Sequence, residues 1–495
     1  MKHIAGLIII CLFGAIQSIF AQSGVRIVDA GTNEAIPFAN IQFANTNLLS
    51  NAEGVFTLPE GLDDNAPIVI SFMGYAAVQT TQSAIEKANN TVRMTPQVYQ
   101  LDEVKVSERP TADAIMEQVR ANLSANHSGG STGSKSLVFV RESELMTPKK
   151  INIEITKADG LSKKNLRAVN EDIARFSRRL TANTAKEYTD LLGDYARMPN
   201  GKGSTLKFIA RKAVKLRDAS KATSMDEMQK SGQNLVLKHL DTTKKYRVRS
   251  GWFGSNDTIQ FNKSRGKKKN TPLTRSKDIL NGIAYNASPL NPIHKYLHEP
   301  DRYKYTYDGT VMGENGEFLY VITFVPDSRK GIYKGKLYIS ESDFGIYRAE
   351  YKLAEGKKAG GINVKWLLGI KAVENVSSGV LLFKRYDDGR GYRLRYASIE
   401  DGQYMYLNRP VEFIEHGGEE KEVLGLKLKF EGDIYSKTEF LDLQSEPLAA
   451  DDFEKMKEKE FSYLQKERFD PELWKDEGVL APLDEMKRFE VSGSL

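Results

Sequence analysis

The sequence predicts a multidomain α+β protein: a small antiparallel β-sandwich at the N-terminus, a central mainly helical region, and a C-terminal antiparallel β-sheet or half-barrel. Three observations predict it. The chain has 495 residues, whereas single hydrophobic cores stop growing near about 250–300 residues, so two or three domains are expected. Residues 24–106 alternate in short apolar runs broken by turn residues, the pattern of half-buried strands. Residues 160–240 place apolar side chains three and four apart, as helices do, and strand-like runs return from Tyr303 onward. A composition 40% hydrophobic and 27% charged excludes both a multi-span membrane protein and a disordered chain.

Residues 1–22 are expected to be a signal peptide. Lys2 and His3 precede the apolar stretch IAGLIIICLFGAI, and the small residue Ala21 stands at a cleavage position, so the mature chain would start at Gln22 or Ser23. Gln17 and Ser18 cut the run short of the ~20 apolar residues of a spanning helix. The single cysteine, Cys11, lies inside this segment, and Ile8, Ile9 and Ile10 precede it where a lipoprotein signal wants a small residue. A mature chain without thiols has no disulfides, thiolate zinc sites or cysteine nucleophiles. The formal charge of +6, less that of Lys2, leaves +5, which does not single out nucleic acid as a partner.

Residues 23–107 form the predicted sandwich. GVRIVDA and ANIQFAN alternate, VFTL follows a Glu53-Gly54 turn, PIVISFMGY is a buried-strand candidate and NNTVRMT closes the series. Gly54 takes positive φ without steric cost, Pro37 presets a turn, and Phe56 and Tyr75 are large anchors for a thin core. The run Gly24, Asp29, Pro37, Ala39, Asn40, Ile41, Asn51, Glu53, Gly54, Phe56, Ser71, Gly74, Tyr75 and LDEVKV (101–106) resembles the carboxypeptidase regulatory-like domain of Bacteroidetes envelope proteins. That resemblance implies a transthyretin-like sandwich with no zinc ligands or catalytic acid of its own, hence a scaffold and no peptidase activity.

Residues 108–136 read as a helix and linker. Pro110 and Thr111 start the helix, Ile115, Val119 and Leu123 share one face, and HSGGSTG ends it. Residues 137–300 are expected to be mainly helical, including NEDIARFSRRLTANTAKEYTDLLGDYA and STLKFIARKAVKLRDAS. Residues 301–440 are expected to be an antiparallel meander, and its stretch YVITFVPDSRKGIYKGKLYISESDFGIYRAEY resembles strand pairs of lipoprotein-carrier half-barrels. Residues 441–495 are expected to be a helical tail; its FDPELWKDEGVLAP resembles the ending of envelope proteins that carry the sandwich, so the chain reads as complete and without an appended barrel.

Candidate chemistry is sparse. His294 and His298 stand four apart, a zinc-ligand spacing on a helix, but Lys295 occupies the place of the base and Pro300 ends the helix, which favours a packed turn. GGSTG (129–133) has the spacing of a nucleophile elbow around Ser131, yet lies in a linker rather than between strand and helix. RGKKK (265–269) with Lys263 offers phosphate contacts or simply a solvated loop. Asp387 with Asp388, and Glu419 with Glu420, sit beside glycines as turn residues do, and GIYKGK (331–336) lacks the spacing of a phosphate loop. Tyr303, Tyr305, Tyr307, Tyr320, Tyr333, Tyr338, Tyr347 and Tyr351 would line a sheet face, either as a binding surface for sugars or acyl chains or as cross-strand packing.

No catalytic, cofactor-binding or metal residue is therefore assigned. The expected function is a non-catalytic exported envelope protein, periplasmic and in contact with the outer membrane, without cofactor, whose partners are envelope proteins or lipids. The alternatives are a periplasmic carrier holding an apolar ligand in a C-terminal half-barrel and a metal-dependent hydrolase. A continuous apolar cavity on the sheet favours the carrier; a filled core favours the scaffold.

Overall fold

Among the described residues, three β-sheets organise the chain. The computed structural model describes residues 24–44, 46–97, 110–128, 132–181, 184–201, 203–218, 240–241, 243–250, 253–259, 271–314, 316–386, 391–417, 421–475 and 477–491. Residues 1–22 with Cys11, LDEVKV (101–106), Ser131, Lys263, residues 265–269, Asp387, Asp388, Glu419 and Glu420 lie outside the described residues. The chain divides into a unit that runs to Gln97 and includes Asp470–Arg488, and a second unit holding the rest.

In the first unit, β1 (Val25–Asp29), β4 (Val55–Phe56) and β7 (Thr91–Met94) form one sheet in the order β4-β1-β7. β2 (Asn40–Phe43), β3 (Thr46–Leu49), β5 (Ile68–Ser71) and β6 (Val78–Thr80) form the other, in the order β3-β2-β5-β6. Alternation explains the core: Ile27, Ile41, Phe43, Phe56, Ile68, Ile70 and Met94 are buried together, each worth ~1.5–3 kcal/mol of transfer. The sandwich is not wholly antiparallel. β1 and β7 run parallel, because the chain passes through α1 (Gln82–Lys87) before β7 comes back beside β1.

The Asn51–Phe56 stretch is turn chemistry. Asn51 Oδ1 accepts from the Glu53 and Val55 amides, both at 2.9 Å, and Gly54 has φ +70°, where a Cβ would meet the Ile27 carbonyl at 2.9 Å. Asn51 Nδ2 also donates to the Ala481 carbonyl at 3.3 Å, and the Glu53 carboxylate caps α8 (Asp484–Lys487) by accepting from the Asp484 amide at 3.1 Å. A segment 430 residues away is thus built into the sandwich, with Leu480, Ala481 and Met486 buried.

The second unit is one large sheet. Its main path runs β13-β14-β15-β16-β18-β19-β20-β8-β9-β10-β21, where β8 is Gly133–Ala158, β9 Ala185–Pro199, β10 Ser204–Arg217, β13 Tyr303–Met312, β14 Phe318–Pro326, β15 Tyr333–Ser340, β16 Ile346–Leu353, β18 Ile370–Tyr386, β19 Gly391–His416, β20 Glu422–Leu448 and β21 Leu464–Lys466. β11 (Lys245–Ser250) pairs β12 (Phe253–Ile259) and β19, and β17 (Gly360–Val364) pairs β18. The central region is therefore not mainly helical: it supplies strands to this sheet, and of the two stretches expected as helices, 170–196 is helical only in its first part, within Lys163–Thr181 (α3), and continues as β9, while 204–220 supplies β10. In β10 the pairing slips at Arg211. Such a bulge shifts the buried side chains by one place, so apolar residues recur at three- and four-residue intervals and imitate a helix. β9 is buried on both faces at Tyr188, Leu191 and Leu192, which erases alternation. Among the described residues the tail is strand to Leu448 and again at β21, and its helices are short: α7 (Ala450–Lys455), a 3-10 turn at Pro471–Leu473, and α8.

One register row shows how the core is built. Tyr307, Ile322, Leu337, Ala349, Leu381, Ala397, Phe440, Val140, Leu191 and Ala213 stand side by side across the sheet. Over this face lie α2 (Ala112–His127), capped by Thr111, and α4 (Pro272–Asn286), opened by a Thr271–Thr274 capping box. They bury Ile115, Met116, Val119, Leu123, Leu280 and Ile283 against the row. α3 covers the lower end of β8, β19 and β20. There Asn170 donates to the Ile155 carbonyl at 2.9 Å and accepts from its amide at 2.8 Å, satisfying strand backbone beside a register shift.

Candidate functional site

Where the C-terminal ends of α2 and α4 meet the sheet, a cavity of about 120 Å³ remains. Leu280, Ile283, Phe383 and Phe440 form its apolar wall, and His127, Ser134, Ser136, Tyr195, Arg197, Arg393 and Asp442 its polar one. Register assembles it: Ser136 on β8 faces Ser445 on β20, with Asp442 opposite Val138. His127 is the last residue of α2, and its Nε2 accepts from the Ile346 amide at 3.2 Å. The ring proton then sits on Nδ1, which is buried and has no hydrogen-bond partner.

Asp442 is the acid of this cavity. Its Oδ2 accepts from Ser136 Oγ at 3.1 Å, while Oδ1, shielded from solvent, has no partner. Burial pushes its carboxyl up to about 6, against the pull of the Ser136 hydrogen bond and of Arg393. Burial takes the His127 imidazole down to about 4, so it is neutral at pH 7. Arg393 Nη2 donates to Ser134 Oγ at 2.7 Å. The arrangement offers one N–H donor and one carboxylate oxygen to a small polar guest, at a size suited to a few waters or a molecule of a few heavy atoms. It is poor catalytic machinery: Ser136 donates to a carboxylate too weakly basic to take its proton, and no imidazole stands between them.

The candidates read from the sequence lie elsewhere. His294 is buried, its Nε2 donating to the Asn286 carbonyl and its Nδ1 accepting from Tyr296 Oη, both at 2.9 Å. His298 Nε2 donates to the Pro289 carbonyl at 2.9 Å. His294, at the N-cap of α5 (Lys295–His298), and His298, its last residue, thus fasten the loop after α4, and among the described residues no three His, Cys, Asp or Glu side chains converge as metal ligands. Tyr303, Tyr305, Tyr320, Tyr333 and Tyr351 are buried on the helix-covered face as packing. Tyr296 stacks on Phe324 with centroids 4.4 Å apart, and Tyr333 meets Tyr351 edge-on at 5.4 Å. Tyr307 and Tyr347 are half-buried against the same core.

Nothing local marked His127 or Asp442 in the sequence. They lie in separate elements, α2 and β20, and only strand register and a helix end bring them to one cavity.

His294 gives a pH test. Burial holds it at about 4, against ~6.5 unfolded, so between those values the unfolded chain binds the extra proton. The stability from neutral His294 is complete above pH ~6.5 and lost as pH falls through about 4, to the extent of ~3 kcal/mol. Denaturant titrations of wild type and His294→Gln should converge over that window, the wild type losing its advantage.

The fold joins a small two-sheet N-terminal unit to a large sheet-based one in a single chain. The family model described as a CarboxypepD_reg-like domain matches residues 23–106, the stretch that holds the N-terminal sandwich strands. No curated protein matches the chain. Among solved structures, a DUF1329 family protein from Desulfovibrio piger aligns over 69% of this chain and 95% of its own, at 9% identity and a TM-score of 0.20. A putative pore-forming toxin from Bacteroides vulgatus aligns over 30% and 85%, at 11% identity and a TM-score of 0.07. Those scores are too low to define a shared fold.

Proposed function

We propose that this is a non-catalytic, exported cell-envelope protein of the periplasm, in which the sandwich docks the chain to an envelope partner and the large sheet unit is a rigid binding platform. The observation that carries this reading is the filled core: α2 and α4 occupy the sheet face that a carrier would leave open. The cavity under these helices, about 120 Å³, is below the ~300 Å³ at which pockets for drug-sized ligands begin; a larger hollow of about 400 Å³ lies over Gly335 and Gly379, away from both helices, with Lys334, Lys336, Glu350, Lys352 and Glu400 on its wall rather than a continuous apolar lining. The hydrolase alternative needs a free imidazole pair, and His294 and His298 are both spent on backbone carbonyls. Export is supported by the basic, apolar and small-residue segments of residues 1–22.

Cross-linking in the native envelope, followed by identification of co-purified proteins, tests the proposal. Envelope proteins cross-linked through residues 24–97 are the expected result. Recovery of cytoplasmic proteins alone would overturn the localisation, and cross-links confined to the sheet unit would overturn the docking role.

A further inference from the structure

The hairpin of β17 and β18 presents an apolar tip that the rest of the sheet unit does not cover. Ile362 is 57% exposed, Trp366 88% and Leu367 58%. An isolated exposed leucine is ordinary; an exposed tryptophan and leucine in the five-residue turn Lys365–Gly369, with an exposed isoleucine on the strand that enters it, are not.

The backbone beneath these side chains is fixed. α6 (Lys365–Leu368) ends at Gly369, whose φ of +63° is left-handed and where a Cβ would collide with the Asn408 carbonyl. The Gly369 amide donates to the Lys365 carbonyl at 3.0 Å, and its carbonyl accepts from the Asn408 amide at 2.7 Å. Arg409 Nη1 donates to the Leu368 carbonyl at 3.0 Å while its Nε donates to Ser250 Oγ at 2.8 Å. Trp366 and Leu367 are thus held out by a clamped turn, and burying them in a partner costs little ordering.

Charge around the tip selects the partner. Lys365 Nζ lies 3.9 Å from the Tyr406 ring and Lys371 Nζ 5.2 Å from the Tyr404 ring. Among the described residues neither has a carboxylate in ion-pair range, whereas Lys149 is neutralised by Asp433 at 2.6 Å and Arg249 by Glu412. Of the acids on the adjoining strands, Glu431 is engaged by the Tyr404 hydroxyl and Glu374 is exposed beside Gly360. A tryptophan and two aliphatic side chains with unpaired lysines and a tyrosine girdle match a lipid interface, where the ring sits at headgroup level, the aliphatic groups enter the acyl boundary, and the ammonium groups meet phosphates.

We propose that this tip docks the protein on an anionic phospholipid surface. The proposal deepens the envelope reading by giving it a surface. The two fail separately: vesicle binding through Trp366 by a protein found outside the envelope sinks only the localisation, and an envelope protein indifferent to vesicles sinks only the tip.

Flotation of the purified mature protein with vesicles of phosphatidylglycerol and phosphatidylethanolamine tests it. Binding is expected there, and roughly fivefold weaker binding for each of Lys365→Gln and Lys371→Gln. Trp366→Ala with Leu367→Ala should cost about tenfold or more, with an unchanged thermal midpoint because both side chains are already in solvent. No flotation of the wild type, or flotation unaffected by the Trp366 and Leu367 changes, overturns the proposal. So does a wild type that is dimeric in solution and becomes monomeric on Trp366→Ala, since the tip would then be covered by a second copy.

Discussion

Replacing Arg141 by Leu is expected to destabilise the sheet unit by ~3–5 kcal/mol, the cost of leaving a buried charge without its partner. Arg141 on β8 and Asp190 on β9 stand directly opposite, joined by two parallel bonds, Nε to Oδ1 and Nη2 to Oδ2, each 2.8 Å. Both residues are 1% exposed. On its other side Arg141 faces Glu439 of β20, also buried, which accepts from Tyr396 Oη at 3.0 Å and has Lys437 Nζ 3.5 Å away. Removing the guanidinium strands Asp190, because Glu439 keeps Tyr396 and Lys437 while Asp190 loses its bidentate partner. The double change Arg141→Met with Asp190→Leu should recover most of the loss, since a buried pair replaced by apolar residues is often neutral or better. Equilibrium denaturation of the three variants reads this directly. A single mutant within ~1 kcal/mol of wild type would show that the pair carries no such load.

The second large effect concerns a single methyl group. Tyr305, Phe324, Gly335, Tyr351, Gly379 and Ile399 form one register row, so glycines alternate with aromatic rings. The Phe324 ring lies over Gly335, 2.7 Å from where a Cβ would stand, and the Tyr351 ring lies over Gly379 at 2.6 Å. A Cβ at Gly335 would also drive into the Glu350 carbonyl, which is backbone and does not swing away. Rings covering glycines in neighbouring strands restore the packing that the missing side chains give up. Gly335→Ala should therefore cost ~3 kcal/mol or more. Gly282→Ala adds the same methyl inside α4 with nothing within 4 Å, and should stabilise by about 0.5–1 kcal/mol. Thermal or denaturant unfolding that moved both variants in the same direction would contradict this account.

These residues mark where the sequence was readable and where it was not. The sandwich strands could be read because each is buried on one face, so burial alternates along β2 and β7. The helix over 112–127 could be read from Thr111 and from Ile115, Val119 and Leu123 on one face. β9 and β10 could not: one is buried on both sides and the other carries a bulge, and each device removes the period of two that identifies a strand. Asn51 was legible as a turn residue, but the return of Ala481 and Pro482 to its amide was not, since a contact between distant segments leaves no local pattern. Arg141 with Asp190, and His127 with Asp442, share that property. A charge inside an apolar run is visible in sequence; its partner is fixed only when strand order and register are known.

The filled sheet core is the central claim, and native mass spectrometry of the protein purified from its native cells tests it most directly. The expected mass is that of the polypeptide alone, for wild type and for Trp366→Ala with Leu367→Ala. One acyl lipid retained per chain in the variant that lacks the exposed tip would mean that α2 and α4 move aside for a ligand, and would contradict the account.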